Sequence, residues 1–170
     1  METPIFTQEI RLKERGFVLH PLSDVHIGAS GHNKKALEQK VKMITDAPPN
    51  HRVLLLGDLA DMAIIGSKGQ KHGGISPQKE LDMLVEVFKP IAERIDLIIP
   101  GNHEARMSKA CGVSYTQMLA ALLGVPDAYR PGATVIRYNM GENRSSTKMK
   151  KYGTYSVKIF AHHGYGGSRK

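Results

Sequence analysis

Four short segments of the chain carry side chains that could bind a metal ion or move a proton. Each segment follows a stretch of apolar residues and contains aspartate, asparagine or histidine. Carboxylate, amide oxygen and imidazole groups together suit borderline divalent ions such as Mn, Fe, Zn or Ni. The segments are Asp24-Val25-His26, Gly57-Asp58-Leu59-Ala60-Asp61, Gly101-Asn102-His103-Glu104 and His162-His163-Gly164.

The spacing inside these segments supports a metal site. Asp24 and His26 stand two residues apart, so at the end of a strand both can point the same way and hold one ion. A glycine precedes Asp58 and another precedes Asn102, which permits a sharp turn and close approach of the backbone. Any one segment alone is more typical of an ordinary turn or helix cap, so the metal site is predicted from all four together.

The elements that must position these residues alternate between strands and helices. Apolar and β-branched stretches predict strands at Gly16–Leu22, His51–Leu56 and Asp96–Ile99. Between them, apolar residues at helical spacing predict two helices, the first capped by Asn33 and the second opened by Ser76-Pro77. This order predicts an α/β fold with a mainly parallel sheet, whose ligands bind at the carboxyl ends of the strands.

The remaining segments of the chain are predicted to form a loop, one more helix and two more strands. Residues 57–77 are predicted to form a long loop, which is a frequent place for function. A third helix is predicted at Tyr115–Leu123, and two more strands at Ala133–Tyr138 and Tyr152–Ala161. A basic polar segment, 141–151, would join those two strands.

As a set, these motifs resemble those of the calcineurin-like metallophosphoesterases. The matches are Asp24-x-His26, Gly57-Asp58-x-x-Asp61, Gly101-Asn102-His103-Glu104 and the strand-end His162-His163-Gly164. The resemblance covers residues 16–167, and we expect one domain over residues 1–170. It implies an α/β/β/α sandwich with two divalent metal ions between the sheets. Manganese is the expected metal, with Fe, Zn, Ni or Mg as alternatives.

The resemblance also implies a ligand set. Asp24 and His26 would bind the first ion, Asp58 would bridge both ions, and Asn102 would bind the second together with one histidine of the His162-His163 pair. Strand alternation puts these two histidines on opposite faces. We expect His163 to be the ligand and His162 to orient a ligand from outside.

The implied catalytic residues are His103 and Asp61. His103 would stand over the phosphate and protonate the leaving oxygen after attack by a metal-activated hydroxide, and Asp61 would orient His103. Two more residues are candidates for substrate binding. Arg106 has a fork geometry suited to phosphate, although a surface charge on a helix is the alternative. His32 could line the mouth of the site, and a solvated loop histidine is the alternative.

The chain departs from the family in two places. Met62 follows Asp61 where the protein-phosphatase branch has arginine, which argues against a phosphoprotein substrate. No Gly-His-x-His occurs in the sequence, although the family closes its site with that element, so each ion would lack one protein ligand. We therefore expect an N-terminal fragment of a longer enzyme with a truncated second sheet. An interrupted gene, or a variant completed by another chain, is the alternative.

The distribution of charged residues bears on which class of substrate we expect. The chain has 24 Lys+Arg and 16 Asp+Glu, a net charge of +8, and seven of the basic residues but one acid lie within residues 141–170. This basic end is first of all typical of a solvated turn, and contact with a phosphate backbone is the functional alternative. We expect a phosphoester hydrolase acting on nucleic acid or nucleotides. The alternatives are a phosphomonoesterase or cyclic-nucleotide phosphodiesterase, and a catalytically impaired metal- or nucleic-acid-binding module.

Composition predicts a cytoplasmic protein without a membrane partner. The longest apolar runs, such as Val53–Leu56, fall far short of the ~18 residues of a membrane span. No apolar leader is visible at the N-terminus. The single cysteine, Cys111, allows no intrachain disulfide and fits a reducing compartment. The sequence carries no signal for the oligomeric state.

Overall fold

A computed structural model describes residues 4–14, 16–63, 75–141 and 155–164. Within these ranges the chain is a mixed α/β fold with two three-stranded sheets and four α-helices. The strands are β1 (Phe6–Leu12), β2 (Val18–Leu22), β3 (His51–Leu55), β4 (Ile95–Ile98), β5 (Thr134–Met140) and β6 (Tyr155–Ala161). The helices are α1 (Lys34–Asp46), α2 (Pro77–Phe88), α3 (Asn102–Cys111) and α4 (Tyr115–Leu123).

The first sheet has the strand order β2-β3-β4, and all its pairs are parallel. This confirms the predicted parallel sheet. Its central strand is apolar on both faces because both faces are covered. Val53 and Leu55 pack in the cluster formed with the helices, whereas Leu54 packs in a second cluster shared with the other sheet.

Helices α1, α2 and α4 begin where the sequence predicted, and α3 is an additional helix. The Asn33 side chain accepts the Ala36 N–H at 3.0 Å, and Ser76 accepts the Lys79 N–H at 3.3 Å with Pro77 in the first turn of α2. All four helices contribute apolar side chains to the first cluster, among them Ile44, Leu84, Met107 and Leu119. Burial of each fully enclosed leucine or isoleucine stabilises this layer by roughly 1.5–3 kcal/mol.

The second sheet has the order β1-β5-β6, with β1 parallel and β6 antiparallel to β5. The predictions of β5 and β6 are confirmed, and β1 is an additional strand that the sequence did not reveal. The predicted connection at 141–151 falls almost entirely on residues outside the described ranges. The same is true of 64–74 in the predicted long loop and of most of the basic end.

The two sheets pack face to face. Leu54, Leu97, Ile136 and Tyr138 lie in the apolar layer between them. Polar contacts also cross this layer. The Tyr138 hydroxyl donates to Asp96 Oδ2 at 3.0 Å, and the same carboxylate forms an ion pair with Arg52 of β3. The described residues therefore form three layers, namely helices, sheet and sheet. The fourth, helical layer of the expected sandwich stays a prediction.

Across the described part of the chain, no helix combines the length and the hydrophobicity needed to traverse a bilayer.

Candidate metal centre

The loops that follow β2 and β3 run side by side beyond the sheet. The Asp24 N–H donates to the Gly57 carbonyl at 3.1 Å, and the His26 N–H donates to the Asp58 carbonyl at 3.0 Å. Parallel strands end at the same edge of a sheet, and these two hydrogen bonds continue the pairing into the loops. Two of the four predicted segments are thereby held together through their main chains.

Three of the predicted ligands adopt left-handed backbone conformations. Asp24, His26 and Asp58 have φ values of 54°, 48° and 50°, and Met62 nearby has 51°. This conformation costs roughly 1–2 kcal/mol per residue, although Asp, Asn and His tolerate it better than most residues. Four such residues in neighbouring loops show a backbone strained at the site, which is typical of functional centres.

The predicted close approach of two glycines is confirmed. Gly57 has a φ of 87°, and a side chain there would overlap the backbone of Gly101. A side chain on Gly101 would in turn overlap the carboxylate and amide of Asp58. The start of α3 therefore abuts the loop after β3 backbone to backbone, which brings Asn102 and His103 beside Asp58.

The first group of candidate ligands is Asp24, His26 and Asp58. His26 Nε2 lies 3.9 Å from Asp24 Oδ1 and 3.9 Å from Asp58 Oδ2. One ligand atom from each of the three residues falls within 4.8 Å of the others, close enough to hold one ion. The Asp58 side chain is 5% exposed and that of Asp24 is 63% exposed, so the group opens to solvent on one side.

The second group is Asp58, Asn102 and His163. His163 Nδ1 lies 2.6 Å from the Leu56 carbonyl, which can only accept, so this nitrogen carries the hydrogen in the neutral ring. His163 Nε2 then presents a lone pair 3.4 Å from Asp58 Oδ2 and 3.2 Å from Asn102 Oδ1. Three electron-pair donors facing one another fit a shared cation, and Asp58 belongs to both groups.

The neighbouring His162 has different contacts. Its Nδ1 accepts the Gly164 N–H at 2.7 Å, and its ring stacks on Phe160. Of the pair that the sequence left open, His163 is the histidine that lies beside Asp58 and Asn102.

His103 is oriented by the main chain of Asp61. His103 Nδ1 bonds to the Asp61 main-chain carbonyl at 2.5 Å, whereas the Asp61 carboxylate lies 3.6 Å away. Because the carbonyl can only accept, Nδ1 carries the hydrogen, and Nε2 lies 3.9 Å from Asp58 Oδ2. Ligand atoms of His26, Asp61 and His103 also lie within 4.8 Å of one another, so these three could hold an ion as well.

Glu104 locks the loop that carries Asp58. Its carboxylate is fully buried and accepts four main-chain N–H groups. The donors are Asp58 and Gly101 at 2.9 Å, Leu59 at 2.7 Å and Ala60 at 3.3 Å. Glu104 is the third residue of α3, and glutamate at this helical position often accepts N–H groups at a helix start.

Glu80 is a site neighbour that sequence reasoning missed. It lies in the first turn of α2, is fully buried, and accepts the Met62 N–H at 3.0 Å through Oε2. Burial, reinforced by the charges of Asp61 and Glu104, raises the pKa of Glu80 to about 7, and the Met62 hydrogen bond opposes the rise. A glutamate at a helix start is ordinarily solvent-exposed, so no sequence signal marked it.

A cleft of about 480 Å³ opens beside the first ligand group. Asp24, His26, Asp61 and His103 line it, and so does the predicted substrate residue His32, whose Nδ1 bonds to the Val25 carbonyl at 2.9 Å. The other predicted substrate residue, Arg106, is half-buried on α3 and is not among the residues that line this cleft.

No protein-family model, curated protein or solved structure matches the chain.

Proposed function

We propose that the protein is a two-metal phosphoester hydrolase of the calcineurin-like type. The observation that carries this proposal is the position of Asp58, whose Oδ2 faces His26 Nε2 at 3.9 Å and His163 Nε2 at 3.4 Å. A short, buried carboxylate between two imidazoles from different loops is suited to bridging two cations.

The donor set supports divalent binding. Asp24, His26 and Asp58 would hold one ion, and Asp58, Asn102 and His163 would hold the other. Carboxylate and amide oxygens combined with neutral imidazole nitrogen fit manganese and the other borderline divalent metals. When bound, two such ions neutralise charge on phosphate oxygens and supply an activated water near neutral pH.

The remaining chemical step, protonation of the leaving oxygen, would be carried out by His103. The Asp61 carbonyl holds its Nδ1–H, so Nε2 is the nitrogen free to exchange a proton. His103 lines the cleft, where a protonated Nε2 would donate to the leaving oxygen of a bound ester. His32, at the same cleft, would contact the substrate, and these positions suit general acid catalysis by a histidine.

We infer a nucleotide or nucleic-acid phosphodiester as the substrate class. The cleft of about 480 Å³ has room for a nucleoside-sized leaving group next to His103. The basic residues of 141–170 would add attraction for a polyanion, since phosphate contacts dominate nucleic-acid affinity.

Hydrolysis assays test the proposal. The chain with manganese should cleave bis-p-nitrophenyl phosphate and single-stranded DNA faster than p-nitrophenyl phosphate. Asp58→Asn should lose this activity, and Asp127→Asn, an exposed aspartate after α4, should keep it. Full activity of Asp58→Asn would overturn the proposal. Metal binding without hydrolysis of any of the three would favour the catalytically impaired module.

A further inference from the structure

Both hydrogen-bonding groups of the Asp61–Met62 peptide are used, and each bonds to a side chain at the candidate site. The Asp61 carbonyl accepts from His103 Nδ1 at 2.5 Å. The Met62 N–H, on the same peptide plane, donates to Glu80 Oε2 at 3.0 Å. A carboxylate on α2 is therefore connected to the imidazole on α3 through one rigid amide.

In the described part of the chain, the surroundings of Glu80 bury its carboxyl group but satisfy only one of its two oxygens. Its side chain is fully buried, and Oε1 has no hydrogen-bond partner among the described residues. Gly28 (φ 99°) provides the space, because a side chain there would overlap Oε1. Burying a half-satisfied carboxyl is costly compared with burying an apolar side chain of similar size. Stability alone therefore gives no reason for a glutamate here.

We propose that Glu80 is a positioning residue that aims and polarises His103 through the Asp61–Met62 peptide. A carboxylate that accepts the N–H strengthens the carbonyl of the same amide as an acceptor, because hydrogen bonds in a chain polarise one another. His103 is thereby fixed with hydrogen on Nδ1 and with Nε2 toward the cleft. This inference rests on the proposed role of His103 in hydrolysis.

The first test needs no activity. Nitrogen-15 NMR of the histidine rings in the metal-free protein reports the His103 tautomer and the Nδ1–H···O bond. We expect the His103 Hδ1 resonance to move upfield in Glu80→Gln and further in Glu80→Met, which lacks an acceptor. Asp82→Asn, an exposed change on the same helix, should leave it in place. Unchanged His103 resonances in both Glu80 variants would overturn the proposal.

The second test distinguishes an effect of Glu80 on His103 from a general structural defect of the variant. For Glu80→Gln we expect kcat to fall about tenfold on a diester with a phenol leaving group, which needs a proton, with little change in KM. On bis-p-nitrophenyl phosphate, whose leaving group needs little protonation, the loss should be under twofold. Equal losses on both substrates would show a structural role only and overturn the proposal.

The two hypotheses fail in different ways. If the wild-type protein hydrolyses neither ester, the proposed function fails while the NMR comparison still decides the role of Glu80. If both Glu80 variants fail to fold, the wild-type spectrum decides. Measurable hydrogen-bond couplings from the Met62 N–H to the Glu80 carboxyl and from the His103 Nδ1–H to the Asp61 carbonyl support the proposal, and absence of either coupling contradicts it.

Discussion

Glu104 Oε2 accepts the main-chain N–H of Asp58 at 2.9 Å. The residue on which both ligand groups converge is thus held by a buried carboxylate that supplies no ligand itself. The same side chain binds four N–H groups, and these hydrogen bonds fix the geometry of the loop.

Glu104→Gln should destabilise the chain by roughly 2–6 kcal/mol. The amide NH₂ cannot accept, so it leaves two buried N–H groups unpaired, at about 1–3 kcal/mol each. Urea unfolding measures the change, with Glu86→Gln on the exposed face of α2 as the control. Equal stability of the two variants would contradict the account of the loop.

Gly101→Ala should displace Asp58 and weaken metal binding. The new methyl group would overlap the Asp58 carboxylate and amide, whereas a methyl group at Gly132 meets only Phe6 at 3.7 Å. We expect Gly101→Ala to lose roughly 1–3 kcal/mol of stability, as overpacked sites do, and Gly132→Ala to lose little. Calorimetry of unfolding and titration with manganese measure both effects. Wild-type manganese affinity in Gly101→Ala would contradict the predicted displacement.

Glu80 should make stability depend on pH. Its folded pKa of about 7 lies above the ordinary value of 4.5 because of burial. Its stabilising contribution is therefore complete below pH 4.5 and is lost as the pH rises through 7. Between pH 5 and pH 8 the wild type should lose up to about 3 kcal/mol of unfolding free energy relative to Glu80→Gln. If the free energy of unfolding changed with pH in the same way in the wild type and in Glu80→Gln, a raised pKa of Glu80 would be ruled out.

His163→Ala and His26→Ala should each remove one ion. Each histidine belongs to a different ligand group around Asp58. We expect the electron paramagnetic resonance spectrum of the manganese-loaded wild type to show a coupled pair, and each variant to show an isolated ion. A coupled signal that survives in His163→Ala would remove this histidine from the ligand set.

The first sheet, β2-β3-β4, could be predicted because its strands have a plain hydrophobic pattern. β3 and β4 are buried on both faces, so they read as apolar runs, and the caps Asn33 and Ser76 mark the helices between them. β1 lacked such a signal because Gln8 interrupts its apolar alternation. The structure explains that residue: Gln8 Nε2 donates to the Asp96 carbonyl at 2.6 Å, a partner 88 residues away.

The candidate site was predictable in its residue types but less so in its geometry. The motifs placed Asp24, His26, Asp58 and Asn102 at one edge, because parallel strands end together. They did not reveal that Asp61 would orient His103 through its carbonyl, since main-chain acceptors leave no mark in a sequence. The sequence did not mark Glu80 either, because a glutamate in the first turn of a helix is ordinarily exposed and its partner here, the Met62 N–H, is a main-chain group.

The most direct test of the central claim, that Asp58 is shared by two ions, is the manganese content of the purified chain. Elemental analysis of wild type, Asp58→Asn and Asp127→Asn after equilibration with Mn²⁺ should give two ions per chain in the first and third proteins. In Asp58→Asn both ions should be lost or strongly weakened. Zero or one ion in the wild type, or two in Asp58→Asn, would contradict the two-metal site.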